Sequence, residues 1–115
     1  MDMATLTLSE SSFTRLLRDA ETPVLVDFWA PWCAPCRLMA PVVEAVARQF
    51  EGELIVGKLD VDESPRVAQA YGVMSIPTLI AFRDGVPVMR LQGLVPKRAV
   101  LQALETVWND GRNGE

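Results

Sequence analysis

The sequence contains no histidine. That absence removes a Cys–His nucleophile pair, a Ser–His–Asp triad and every zinc site built on imidazole. Cysteine is nearly absent as well, because Cys33 and Cys36 are the only two. Two thiols do not complete a four-thiolate zinc site within one chain, and a metal bridged between two copies is left open. No apolar run reaches the about 18 residues that a membrane-spanning helix needs. No run of lysine or arginine marks a nucleic-acid or anionic-membrane surface, and 11 basic against 15 acidic residues give a net charge of -4. Neither nucleic acid nor membrane is therefore expected as a partner. The opening "MDMATLTLSESSF" lacks the basic and apolar segments of a secretory signal, which favours a cytoplasmic location, although a processed mature chain would look the same.

What is present describes an ordinary soluble domain. Half of the 115 residues are apolar and 23% are charged, enough for one hydrophobic core without staples. One domain is expected over 1–115, with its core at about 5–108 and a frayed tail over 109–115. "TLTL" (Thr5 to Leu8) alternates as a short strand, and Ser9 caps a helix with Phe13, Leu16 and Leu17 on one face. "PVLVDFWA" (Pro23 to Ala30) is nearly continuously apolar, the pattern of a strand buried on both faces. Helical spacing of Leu38, Val42, Ala45, Val46 and Phe50 predicts a helix from Ala34 to Phe50, bent at Pro41. Glu53 to Asp62 reads as another buried strand, and Ser64 to Gly72 as a short helix with a serine cap. Two strands joined by the turn Asp84–Gly85 and an amphipathic helix from Pro96 to Trp108 complete the order β-α-β-α-β-α-β-β-α. Strands separated by helices should be parallel and the hairpin antiparallel, giving a mixed sheet covered on both faces. The expected class is therefore α/β, with five strands and four helices.

Both cysteines lie in "FWAPWCAPCRLMAP" (Phe28 to Pro41), at the first turn of a helix that directly follows a buried strand. Residues three apart in a helical turn sit about 5–6 Å apart, within the span a disulfide bridges. So small a ring restrains little unfolded-chain entropy, which makes the bond a poor staple and favours one that is made and broken. At the helix N-terminus, unpaired N–H groups and the macrodipole favour the Cys33 thiolate, the species that attacks disulfides. Cys33 is therefore expected as the exposed nucleophile and Cys36, one turn inward, as the more buried resolving thiol. Pro35 stiffens the link between them. The competing reading is a pair of reduced cysteines used as small core residues.

The segment from about Leu6 to Trp108 resembles the thioredoxin family, in a Trp-Cys-Ala-Pro-Cys variant of its active-site motif. The residues that carry the resemblance are "VDFWAPWCAPC", "SIPT" (Ser75 to Thr78), "RDG" (Arg83 to Gly85) and "QGL" (Gln92 to Leu94). It implies a thioredoxin fold and a protein-disulfide reductase that works through a Cys33–Cys36 dithiol and contributes to redox homeostasis. It implies no bound cofactor: electrons come from NADPH through a separate thioredoxin reductase. The other implied partners are disulfide-containing client proteins, and the chain is expected to be a monomer. Pro77 would be a cis-proline facing the disulfide. Asp27, desolvated within "VLVDFW", would be the acid/base for Cys36, with Lys58 as its partner. The alternatives are an exposed strand end or a plain buried ion pair for Asp27, and a snorkelling side chain for Lys58. Trp32, Ala34, Pro35, Ile76, Gly93 and Leu94 would form an uncharged rim for an extended client, with backbone beside Pro77 pairing as an added strand. Trp29 reads equally as core or as site support, while Phe50 and Trp108 read as structural.

Three residues depart from the commonest pattern. Ala34 stands where the family most often has glycine, Pro31 replaces a polar residue, and Met74 makes the loop before Pro77 more apolar. A redox potential is not transferred across such changes, since about 30 mV is a tenfold shift for a two-electron couple. Two other readings of the same fold are an exported oxidase or isomerase and a chaperone-like binding subunit. The absent histidine argues against the first, and retention of Cys33, Cys36, Pro35, Asp27 and Pro77 against the second.

Overall fold

The computed structural model describes residues 4–109, so the expected tail at 110–115 lies outside the described residues. Its elements are β1 (Leu6–Leu8), α1 (Glu10–Asp19), β2 (Val24–Trp29), α2 (Ala34–Gln49), β3 (Ile55–Asp60), α3 (Pro65–Ala70), β4 (Thr78–Arg83), β5 (Val86–Gln92) and α4 (Lys97–Asn109). The order is the one the periodicity predicts. Asn109, read from sequence as the start of the tail, is instead the last residue of α4.

Local chemistry sets most of the boundaries. Ser9 caps α1 in a reciprocal box: its hydroxyl accepts the Ser12 N–H at 3.1 Å, and the Ser12 hydroxyl accepts the Ser9 N–H at 2.8 Å. Ser64 does not act likewise. It occupies the cap position of α3, but its hydroxyl makes no capping bond and is buried, so Pro65 in the first turn is what starts that helix. α2 runs through Pro41 without a break; the ring removes one N–H donor from the ladder but leaves the helix continuous. Asp84 and Gly85 both take positive φ, 54° and 78°, as the tight β4–β5 turn requires.

The sheet has the strand order β1-β3-β2-β4-β5. β3 lies parallel to both β1 and β2, whereas β4 is antiparallel to β2 and β5 is antiparallel to β4. β2 is thus central, and period-two alternation sends its side chains to different layers. Val24, Val26 and Phe28 pack with Phe13, Leu59, Val67, Ile80 and Phe82 on the α1/α3 side. Leu25 packs with Met39, Val43, Val46, Leu79, Val100 and Leu104 on the α2/α4 side. Asp27, two residues after Leu25, must therefore face α2. Because β4 begins beside the end of β2, the segment before Thr78 is delivered next to the chain leaving Trp29.

Phe82 joins the two halves of the α1/α3 layer, with its ring 5.7 Å from Phe13 and 5.2 Å from Tyr71, both edge-on. Phe82→Ala is expected to destabilise the fold by about 3–5 kcal/mol through lost burial and a residual cavity. Urea unfolding checks this, with a lowered midpoint at unchanged slope as the expected result.

Candidate active site

The site forms where β2 stops and α2 starts. The Cys33 N–H bonds to the Ala30 carbonyl at 3.1 Å, which turns the chain out of the strand. Cys33 is then the N-cap of α2, in extended conformation, and its carbonyl accepts the Arg37 N–H at 3.2 Å. Its sulfur does what a serine hydroxyl does at other helix starts: Sγ accepts the Cys36 N–H at 3.2 Å. The two cysteines are joined as a disulfide with their Cα atoms 5.2 Å apart. Negative charge developing on Cys33 Sγ would meet a backbone donor and the positive end of a 16-residue helix. Exposure does not distinguish the thiols as the sequence reading expects. Cys33 is 4% exposed and Cys36 3%, because both pack against Ala30, with Trp29, Val61 and Ile76 around them. Cys33 is thus not an exposed residue; what separates the two is that Cys33 occupies the cap.

Asp27 is the charge in this apolar layer. It is 1% exposed, and neither carboxylate oxygen has a hydrogen-bond partner among the described residues. Burial pushes its carboxyl up from the ordinary 3.8 to about 6, against the opposing pull of the Lys58 charge. Lys58 is the register neighbour of Asp27 on β3, yet the two form no ion pair. Its Nζ lies over the Trp29 ring instead, 4.6 Å from the centroid. The plain ion-pair reading of Asp27 is therefore corrected, and Lys58 acts on Asp27 through space. Trp29 packs against the cysteines and carries the Lys58 ammonium on its ring. The Phe50 and Trp108 rings meet at 4.8 Å, tilted by 38°, against the α2/α4 core.

The opposing wall comes from the loop before β4. The Ile76–Pro77 bond is cis, the Thr78 hydroxyl braces the loop on the Ser75 carbonyl at 2.6 Å, and the Ile76 carbonyl oxygen lies 3.9 Å from Cys33 Sγ. Pro77 itself is buried, and its carbonyl already accepts the Gly93 N–H at 2.8 Å. Gly93 has a φ of 86°, which explains glycine there. Ala34, Pro35, Trp32 (66% exposed) and Leu94 (52%) are open to solvent, while Ile76 and Gly93 are half-buried. Two braces escape the sequence reading. The Trp32 Nε1–H donates to Asp62 Oδ2 at 2.6 Å, and Arg37 Nη1 donates to the Pro31 carbonyl at 2.8 Å. Thirty positions separate Trp32 from Asp62, so no local pattern reveals that pair. No cluster of metal-ligating side chains occurs among the described residues.

Comparisons with known proteins agree with this geometry. The thioredoxin family model matches residues 4–106. Thioredoxin 1 of Nostoc sp. is 50% identical over 98 residues, covering 85% of this chain and 92% of the relative. Thioredoxin of Mycobacterium tuberculosis is 47% identical over 104 residues, covering 90% of each. A chloroplastic M-type thioredoxin of Chlamydomonas reinhardtii is 43% identical over 102 residues, covering 89% of this chain and 73% of the relative.

The Asp27 carboxyl fixes the sign of a pH effect. Below about 3.8 it is neutral folded and unfolded, whereas above about 6 it is charged in both and the folded state carries the full desolvation penalty. Stability from this group therefore falls as pH rises between those values, by about 3 kcal/mol. Asp27→Asn is expected to be more stable than the parent at pH 8, with the gap closing toward pH 4. Urea unfolding at a series of pH values checks this, and a gap that ignores pH would contradict the account.

Proposed function

The chain belongs to the thioredoxin family, and from that membership we propose how its two cysteines divide the work. It is a thiol–disulfide oxidoreductase, a protein-disulfide reductase acting on disulfide-containing client proteins. Cys33 thiolate attacks one sulfur of a client disulfide. The client S–S bond breaks, a Cys33–client mixed disulfide forms, and the departing client thiolate takes a proton from water. Cys36 then gives up its proton, through a water, to Asp27 and attacks Cys33 Sγ. The mixed disulfide breaks, the Cys33–Cys36 bond forms, and the second client thiolate leaves and takes up, by way of solvent, the proton that Asp27 releases. The client gains two electrons and two protons: both electrons and the Cys36 proton come from the chain, and the other proton comes from water.

The observation that carries this assignment is the Cys36 N–H bonded to Cys33 Sγ at the start of α2. It supports Cys33 as the sulfur on which negative charge is best tolerated, and so as both first attacker and better leaving group. Asp27 suits the proton-accepting role because its carboxyl, at about 6, is ionised at neutral pH yet close enough to it to take a proton. Lys58 tunes that carboxyl by its charge. Trp32, Ala34, Pro35, Ile76, Pro77, Gly93 and Leu94 form the uncharged rim that receives the client. Electrons return from NADPH through a thioredoxin reductase, and the chain works as a cytoplasmic monomer. A pure binding role would leave the paired sulfurs and the buried carboxyl without a task.

In an insulin-reduction assay coupled to NADPH and a thioredoxin reductase, Cys33→Ser is expected to lose turnover to background. Cys36→Ser should instead accumulate mixed disulfides with clients, seen as conjugates on non-reducing gels. Full turnover by Cys33→Ser would contradict the mechanism.

A further inference from the structure

A small groove opens beside the disulfide, lined by Trp32, Val61, Val73, Met74, Ser75 and Ile76, with a volume of about 160 Å³. Small-molecule pockets usually run to about 300–1,000 Å³, so this one has room for a side chain rather than a cofactor. None of the six lining residues is charged. Two of them tie it to the reacting sulfur, since Trp32 directly precedes Cys33 and the Ile76 carbonyl oxygen lies 3.9 Å from Cys33 Sγ. A client whose sulfur meets Cys33 must set a neighbouring residue here.

The lining residues differ in character. The Trp32 indole is fixed by its bond to Asp62 at 2.6 Å, and Val61 and Ile76 are packed against the cysteines. Met74 is 92% exposed, which isolated packing does not explain for a large apolar side chain beside another at 66%. An unbranched thioether folds down over apolar guests of different shapes, gaining contact area that it lacks in the free protein.

We infer that Met74 is a specificity-determining residue of the reductase, forming with Trp32 a subsite for one apolar client side chain next to the reacting cysteine. The inference rests on the reductase reading above and names the client chemistry it favours.

The test uses two synthetic peptide disulfides that differ only in leucine or serine beside the reacting cysteine, reduced by the full-length dithiol protein in stopped flow. The second-order rate constant for the leucine peptide is expected to exceed that for the serine peptide about tenfold, the scale on which an apolar pocket discriminates. Met74→Ser should bring the ratio below about threefold, and Met74→Leu should hold it. Equal parent rates on both peptides would overturn the subsite while leaving the reductase reading intact. A ratio unmoved by Met74→Ser would overturn the role of Met74. Failure to reduce either peptide would overturn the reductase reading itself.

Discussion

The site depends on one constraint: a cysteine must serve as the cap of a long helix whose start is fixed by a buried strand. The Cys36 N–H reaches Cys33 Sγ only because α2 begins at Ala34, and α2 begins there because Ala30 turns the chain immediately after β2. β2 is held at the centre of the sheet by β3 on one side and β4 on the other. The same arrangement brings Ile76 and Pro77 to the opposite side of the sulfurs, because β4 runs antiparallel to β2 and begins at its end. One junction therefore supplies the capping sulfur, its backbone donor and the loop that faces it.

Asp27 costs the folded state stability. A buried carboxylate with no hydrogen-bond partner is a loss to the folded state above its own titration range. A leucine in its place would complete the apolar layer of Leu25, Met39 and Leu79. Instead Asp27 stands in that layer with its carboxyl held at about 6, where it can exchange a proton at neutral pH. Lys58 limits the penalty without cancelling it, since its ammonium rests on Trp29 and not on the carboxylate. A direct ion pair would pull the carboxyl down, away from neutral pH.

Much of this was legible because it is local. Strand runs, helical spacing, the Asp84–Gly85 turn and the spacing of Cys33 and Cys36 each reside within a few residues, and they give the element order and the reactive pair. Asp27 was legible as a charge among residues that want burial. The misses are distant or rotameric. Trp32 meets Asp62 across the fold, Lys58 turns to Trp29 although its register neighbour is Asp27, and Ser64 buries its hydroxyl without capping. The near-equal burial of the two cysteines was also hidden, because it comes from Trp29, Val61 and Ile76 closing over both. Periodicity says which face a side chain takes, not which of two partners it chooses there.

With Cys33 as its cap, the couple is expected to give electrons away. One backbone donor supports Cys33 Sγ, and neither Ala34 nor Pro35 adds a charge or a side-chain donor between the sulfurs. With one such donor and no added charge, the thiolate is expected to attack while the dithiol falls short of the stabilisation that makes an oxidant. The midpoint potential of Cys33–Cys36, measured by equilibration against glutathione buffers at pH 7, tests this most directly. The account predicts a value more reducing than about -220 mV. A value near that of dedicated oxidants and isomerases, about -120 to -180 mV, would contradict it.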